Sequence, residues 1–199
     1  MKKILCLILT VILLCTLLSS CADKGFEDVT ATEEKTEYVL ITVKDFGKIL
    51  IKLCPDEAPV TVENFQNLVA DDFYDGLIFH RVIKGFMIQG GCPKGNGTGG
   101  SGTNIVGEFS ANGYENNLKH ERGVVSMARS QAMDSASSQF FICHEDENVG
   151  HLDGQYAAFG YVMRGMDVVD EIASVKTNSS DKPLTKVVIE SIEFVTISE

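Results

Sequence analysis

Several chemistries leave no trace in this sequence. Six cysteines are present, yet no two form a CxxC pair and none stands at metal-ligand spacing, so no metal site and no other cofactor is expected. Basic residues are scarce: 17 lysines and arginines face 28 aspartates and glutamates, for a formal net charge of −11, and they form no patch. That excludes a nucleic-acid partner and attraction to anionic headgroups by charge. The same acidic balance suggests a preference for basic substrates. One glycine-dense run, residues 95–102, lacks the GK[ST] ending and the helix signal of a phosphate cradle. Its glycines read as steric, letting backbone pass close to a pocket. The one long apolar run, residues 4–17, is too short with its flanks for a stable membrane-spanning helix.

That run has the form of an export signal instead. Lys2 and Lys3 give a positive start, residues 4–17 are apolar but for Thr10 and Thr16, and Leu18, Ser19, Ser20 and Cys21 follow. The small residues suit a signal-peptidase groove, and the cysteine at the cut resembles a bacterial lipobox. Ordinary export with cleavage near Ala22, or an uncleaved anchor, are the alternatives. On the lipobox reading residues 1–20 are the signal peptide and Cys21 becomes the lipidated first residue. Acyl chains, palmitate among them, then hold the protein on the extracytoplasmic face of the cell membrane. Residues 21–37 read as this cysteine and a flexible tether, being polar, acidic and aperiodic. Residues 38–199 read as one domain. Its cysteines, Cys54, Cys92 and Cys143, read as small buried apolar residues, with one disulfide and a leftover thiol as the alternative.

Within the domain, residues 38–43 and 47–53 are β-branched alternating segments around a turn, a hairpin that opens a sheet. Residues 55–70 change period: Pro59 suits a first helical turn, and Val62, Phe65, Leu68 and Val69 recur at helical spacing. Residues 104–117 form a long irregular connection. Strand-like segments return at 123–128, at 138–142 and at 156–163. In the second of these Gln139 and Phe141 face one way and Phe140 and Ile142 the other. A second helix is predicted over 165–176, a polar loop over 177–183 and a closing strand over 186–197. Many short strands with two well-separated helices predict an all-β antiparallel barrel with two α-helices.

The chemistry concentrates in FHRVIKGFMIQGG, residues 79–91. FHRVI alternates, with Phe79, Arg81 and Ile83 on one face and His80 and Val82 on the other. Lys84 and Gly85 form a tight turn, and FMIQ returns with Met87 and Gln89 on one face and Phe86 and Ile88 on the other. Arg81 and Gln89 lie equally far from the turn, so their heads can meet. Two readings stand: Arg81 as a rim arginine paired with a carboxylate, or a shallow apolar pocket with a guanidinium at its edge, fit to grip a carbonyl. His80 reads as structural, on the face opposite Arg81, and no role is assigned to His120 or His144.

FHRVIKGFMIQGG, then NGTGG, GVVSMA, SSQFFI and LDGQYAAFG, occur in the order and at the approximate spacings of the cyclophilin family of peptidyl-prolyl isomerases, a resemblance running from about Tyr38 to Val195. It implies a closed eight-stranded antiparallel β-barrel capped by α-helices at its open ends. It implies rotamase activity on X-Pro bonds of partly folded exported proteins, a chaperone-like role without covalent chemistry. Arg81 is then the catalytic residue, and Phe86, Met87, Phe141 and Leu152 the floor for the proline ring. Gln89 bonds the backbone near the proline, the backbone of Ala128 and Arg129 pairs with the preceding residue, and Gln139 lines a neighbouring pocket. Three positions depart from the family's commonest pattern: Arg129 where asparagine is usual, His151 where an aromatic, often tryptophan, is usual, and Tyr156 where histidine is usual. The expected partners are proline-containing polypeptides and, through Cys21, the membrane; a monomer is expected. Rival readings are a proline-peptide binding or holdase module with slight turnover and a solute-binding lipoprotein.

Overall fold

The computed structural model describes residues 25–198, so the readings placed on residues 1–24, including the signal peptide and Cys21, lie outside the described residues. The chain divides into two compact units. In the smaller, the Val29 N–H donates to the Phe26 carbonyl and the Ser198 N–H to that of Asp28. A short strand, β1 (Val29–Ala31), leads into the larger unit, Ala31–Thr196.

Strands β2 (Tyr38–Val43) and β3 (Gly47–Leu53) form the expected hairpin, in register from Tyr38 opposite Lys52 to Val43 opposite Gly47. Asp45 and Gly47, at φ 65° and 133°, turn the chain between them. Helix α1 (Pro59–Ala70) starts later than its periodicity predicts, because Pro59 takes the first helical turn while residues 54–58 close a turn on the Cys54 carbonyl. The hairpin β4 (Arg81–Ile83) and β5 (Met87–Gly90) follows, then β6 (Val124–Met127), β7 (Phe140–Cys143) and β8 (Ala158–Arg164). Helix α2 (Met166–Ala173) is shorter than predicted at both ends: Gly165, at φ 91°, is its N-cap, and Ser174 ends it. Strand β9 (Ile189–Ile197) completes the chain.

Inside the larger unit the strand order is β9-β2-β3-β8-β6-β7-β5-β4, eight strands with every described neighbour pair antiparallel. The ladder stops between β4 and β9, and residues before β4 bridge that gap to the start of β9 and the residues just before it. Gly76 N–H donates to the Ile189 carbonyl at 2.8 Å, Ile189 N–H to Leu77 at 2.8 Å and Phe79 N–H to Val187 at 3.0 Å. The eight-stranded sheet is therefore barrel-like but not closed by a ladder as expected; loop backbone spans the gap instead.

Alternation along β5 and β7 sorts side chains into two layers. Ile88, Phe140 and Ile142 enter the main core with Val62, Phe65 and Val69 of α1 and Val169, Ile172 and Ala173 of α2. Phe65 sits at its centre, with its ring 5.1 Å from those of Tyr74 and Phe159 and edge-on to Phe140 at 5.6 Å. Met87, Phe141 and Cys143, on the opposite face, build a smaller apolar layer with Val124, Val149 and Leu152.

Three expectations are corrected. The tether does not run loose to Glu37: within the larger unit Thr32 N–H donates to Phe194, the Thr36 hydroxyl to Val195 at 2.8 Å, and the Glu37 carbonyl accepts from Leu53 at 2.7 Å. Phe79 is fully buried in the main core, apart from the half-exposed Arg81, because strand alternation begins only at Arg81. Of the three cysteines, all free, Cys92 and Cys143 are buried as expected, with burial pushing the Cys143 thiol up to about 12, and Cys54 is not. Cys54 is half-buried, and the Cys92 sulfur accepts the Gly99 N–H at 3.3 Å.

Candidate active site

The turn between β4 and β5 decides where the site lies. Gly85 takes φ 81°, and Ile83, Val82 and Arg81 pair with Met87, Ile88 and Gln89. Arg81 and Gln89 are thus cross-strand partners, as their distance from the turn requires. Their heads part company, however: Gln89 Nε2 donates to Gln139 Oε1 at 3.0 Å, and Arg81 turns to the loop at 178–182. Phe86 belongs to the turn, not to β5, so strand alternation does not govern it. It packs on the same layer as Met87 rather than opposite it.

His144 clamps that turn. Its backbone N–H donates to the Phe86 carbonyl at 2.8 Å, and its ring Nδ1 accepts the Gly85 N–H at 3.0 Å. Carboxylates flank the ring, Glu145 at 3.3 Å from Nδ1 and Asp170 of α2 at 3.3 Å from Nε2. His151 stacks on Phe86 from outside, rings 5.8 Å apart and 23° from parallel.

Phe86, Met87, Phe141 and Leu152 floor an open hollow of about 590 Å³, with Tyr156 and Ala128 as a wall. Met87, Phe141 and Leu152 are buried but for the edges they show the hollow. Tyr156 meets Phe141 edge-on at 6.0 Å. Arg81, Gln89, Arg129, His80, Asn96, Gly97, Asn178, Ser180 and Lys182 complete the lining. The Arg81 side chain is 42 % exposed, and its one ion pair among the described residues is with Asp181, 3.7 Å from Nε. A pair that long and that wet holds little, about 0–1 kcal/mol. Among the described residues the guanidinium makes no hydrogen bond, so its donors are left open at the hollow it lines.

A second hollow of about 470 Å³ lies beside the first and shares Gln89, Gly97, Ala128 and Arg129 with it. Gln139 lines only the second, donating from Nε2 to the Gly97 and Gly99 carbonyls at 3.0 and 2.7 Å. The glycine run does pass where side chains cannot: a Cβ on Gly100 would stand 2.1 Å from Ser137 Oγ. Arg129 folds its guanidinium over the rings of Tyr156 and Phe109, at 4.8 and 5.1 Å, with Nε donating to the Gln155 carbonyl. Its side chain therefore buttresses the Tyr156 wall, and the residue lines both hollows.

His120, without a role in the sequence, is the centre of a buried polar chain. Its Nδ1 donates to Asp153 Oδ1 at 3.0 Å, and Nε2 accepts from the Ser126 hydroxyl at 3.0 Å. The connectivity is that of a serine nucleophile, but Ser126 is fully buried and neither hollow reaches it or His120. The chain instead bolts the turn carrying Leu152 to β6, with the His120 ring stacked 6.2 Å from Phe141. Burial lowers the affinity of His120 for a proton more than Asp153 raises it. In Asp153, burial pulls the opposite way from the hydrogen bonds of His120, and the bonds win, leaving its carboxyl below the usual range.

His80 corrects another expectation. It precedes β4 and lines the first hollow beside Arg81, its ring nitrogens buried without a hydrogen-bond partner among the described residues, and burial lowers its pKa. The unfolded chain therefore binds protons on His80 and His120 before the folded one does, so stability is full above the ordinary value of 6.5 and declines as pH falls below it. Thermal unfolding scanned from pH 8 to 5 should show a falling midpoint that begins near 6.5, with a shallower fall in His120→Asn. A midpoint flat through that range contradicts the assignment. Loss through the depressed carboxyls of Asp153 and Asp170 comes only below their ordinary 3.8.

Residues 38–194 match the model of the family described as cyclophilin type peptidyl-prolyl cis-trans isomerase/CLD. The chain is 45% identical over 140 residues to peptidyl-prolyl cis-trans isomerase B of Bacillus subtilis, covering 70% of this chain and 92% of that protein. It is 44% identical over 140 residues to a peptidyl-prolyl cis-trans isomerase of Helicobacter pylori, covering 69% and 81%. A cyclophilin type isomerase of Cryptosporidium parvum superposes with a TM-score of 0.73 at 30% identity, over 82% of this chain and 99% of that one. The same protein, crystallised in the presence of the dipeptide Ala-Pro, gives 0.71 at 32% identity, over 81% and 99%. With its barrel, its apolar hollow and these relatives, the chain belongs to the cyclophilin-type peptidyl-prolyl cis-trans isomerase family and is a peptidyl-prolyl cis-trans isomerase.

Proposed function

We propose that this isomerase acts on exported, partly folded polypeptides at the outer face of the cell membrane, as a monomer held there by lipid on Cys21. The pattern of Lys2, Lys3, the apolar run and the small residues before Cys21 supports the anchor. Mass spectrometry of the membrane-extracted protein tests it. A mass increment of acyl chains on an N-terminal Cys21 is expected, and an unmodified chain beginning near Ala22 overturns it.

Within the site, the carrying observation is a guanidinium with no hydrogen bond among the described residues, at the rim of an apolar-floored hollow. An X-Pro amide rotates over a barrier of about 20 kcal/mol, and millisecond turnover requires removing roughly 6–7 kcal/mol of it. No bond breaks. Twisting the amide ends its resonance and returns a lone pair to the prolyl nitrogen, so a donor aimed there binds the transition state better than the ground state. Arg81 is that donor, a cation that presents a rigid fork of N–H groups. Phe86, Met87, Phe141 and Leu152 hold the pyrrolidine ring and exclude the water that favours the planar, dipolar amide. Gln89, whose Nε2 is engaged by Gln139, offers its oxygen to the backbone beside the proline. The backbone of Ala128 and Arg129 aligns the residue before it, Gln139 lines the pocket beyond, and His151 and Tyr156 brace the two ends of the floor. The Ala-Pro dipeptide present with the Cryptosporidium parvum relative supports a proline peptide as the guest.

A further inference from the structure

The two hollows share a charge pattern opposite to that of the chain as a whole. Their linings bring together Arg81, Lys94, Arg129 and Lys182 and not one aspartate or glutamate, in a chain with 28 acids against 17 basic residues. An even scatter would put more carboxylates than cations there. Nor are these charges neutralised close by. Lys182 Nζ donates to the Gly95 carbonyl at 2.7 Å, and Arg129 donates to the carbonyls of Gln155, Ser130 and Gln131. Carbonyls orient such heads without cancelling their charge. Lys94 has no ion pair among the described residues, and only Arg81 has a carboxylate beside it, that of Asp181.

We propose that the site prefers polypeptides carrying an acidic side chain two or three residues ahead of the proline. The inference rests on the placement of the proline ring on the apolar floor and of the preceding residue along Ala128 and Arg129. Those two residues line both hollows, so a chain laid that way delivers its next side chains into the second hollow, whose cations are Arg129 and Lys94. An aspartate there meets two opposite charges and a lysine two like ones. The net charge of −11 acts the other way at long range. At about 0.1 M salt, however, the screening length is about 10 Å, so distant carboxylates fade while charges within the hollow keep most of their effect. The preference for basic substrates that composition alone suggests is thus reversed at the site.

The test compares three proline peptides identical except for Asp, Ala or Lys at the second residue before the proline, with kcat/KM measured on the purified chain. At about 0.1 M salt the Asp peptide should exceed the Lys peptide by about tenfold, with Ala between, and the gap should close at about 1 M, where screening reaches about 3 Å. Lys94→Glu should pull the Asp and Lys rates together, and rates that stay tenfold apart in that variant would count against Lys94 as the cation that sets the preference. Equal rates for Asp and Lys on an enzyme that turns over the Ala peptide overturn the preference alone. Failure to turn over the Ala peptide overturns the assignment of the site itself.

Discussion

Arg81→Ala is expected to lower kcat/KM on a proline peptide by about 10²–10³, the usual loss when one preorganised donor to a transition state is removed. The loss should fall on kcat more than on KM, because a donor to the twisted amide acts little in the ground state. Stability should hardly change. The side chain is 42 % exposed and its one ion pair among the described residues, to Asp181, is 3.7 Å long. An unaltered thermal midpoint alongside a collapsed kcat would separate chemistry from folding. Arg81→Lys keeps a charge but not the fork, and should recover only part of the rate.

Glu108→Ala should cost the fold about 3–5 kcal/mol, because it leaves buried polar partners without their charged acceptor. Ala58 at the N-cap of α1 has no side chain to cap with, and a carboxylate from the distant connection caps the helix instead. Glu108, buried, accepts from Val60 N–H at 3.0 Å, from Thr61 N–H at 2.7 Å and from the Thr61 hydroxyl at 2.7 Å. It also places negative charge at the positive end of the helix. For a domain of this size the loss corresponds to a midpoint drop of roughly 10 °C. Glu108→Gln, which keeps the volume and an acceptor oxygen, should cost less than half as much. A drop of under 2 °C in Glu108→Ala, read by circular dichroism, contradicts this account of how α1 is held.

The contrast between these two residues marks how far the sequence is legible. Arg81 stands out because it is a lone cation in a run of large apolar residues on a short strand, and the turn at Gly85 fixes its register with Gln89. Period two likewise reads correctly in β2, in β3 and across Phe140 to Ile142, where both faces of the sheet are covered. Glu108 is not legible: it lies in a stretch without period, and its partners are nearly fifty residues away. The rim at Asn178, Ser180 and Lys182 escapes for a similar reason. The backbone bond from Val82 to Asp181 and the closure through residues 76–79 and 187–189 carry that loop to Arg81. Phe86 and Phe79 lie on faces other than those alternation predicts, because alternation holds only within β4 and β5 and both residues sit past the strand ends, where the chain turns or closes the barrel.

The central claim is tested most directly by adding a small amount of the chain to a proline peptide at cis–trans equilibrium and following exchange between the two isomers by magnetisation transfer. Exchange should accelerate with the wild-type protein and stay at the uncatalysed rate with an equally well-folded Arg81→Ala. Equal acceleration by both would mean that the guanidinium is a bystander at the edge of the hollow.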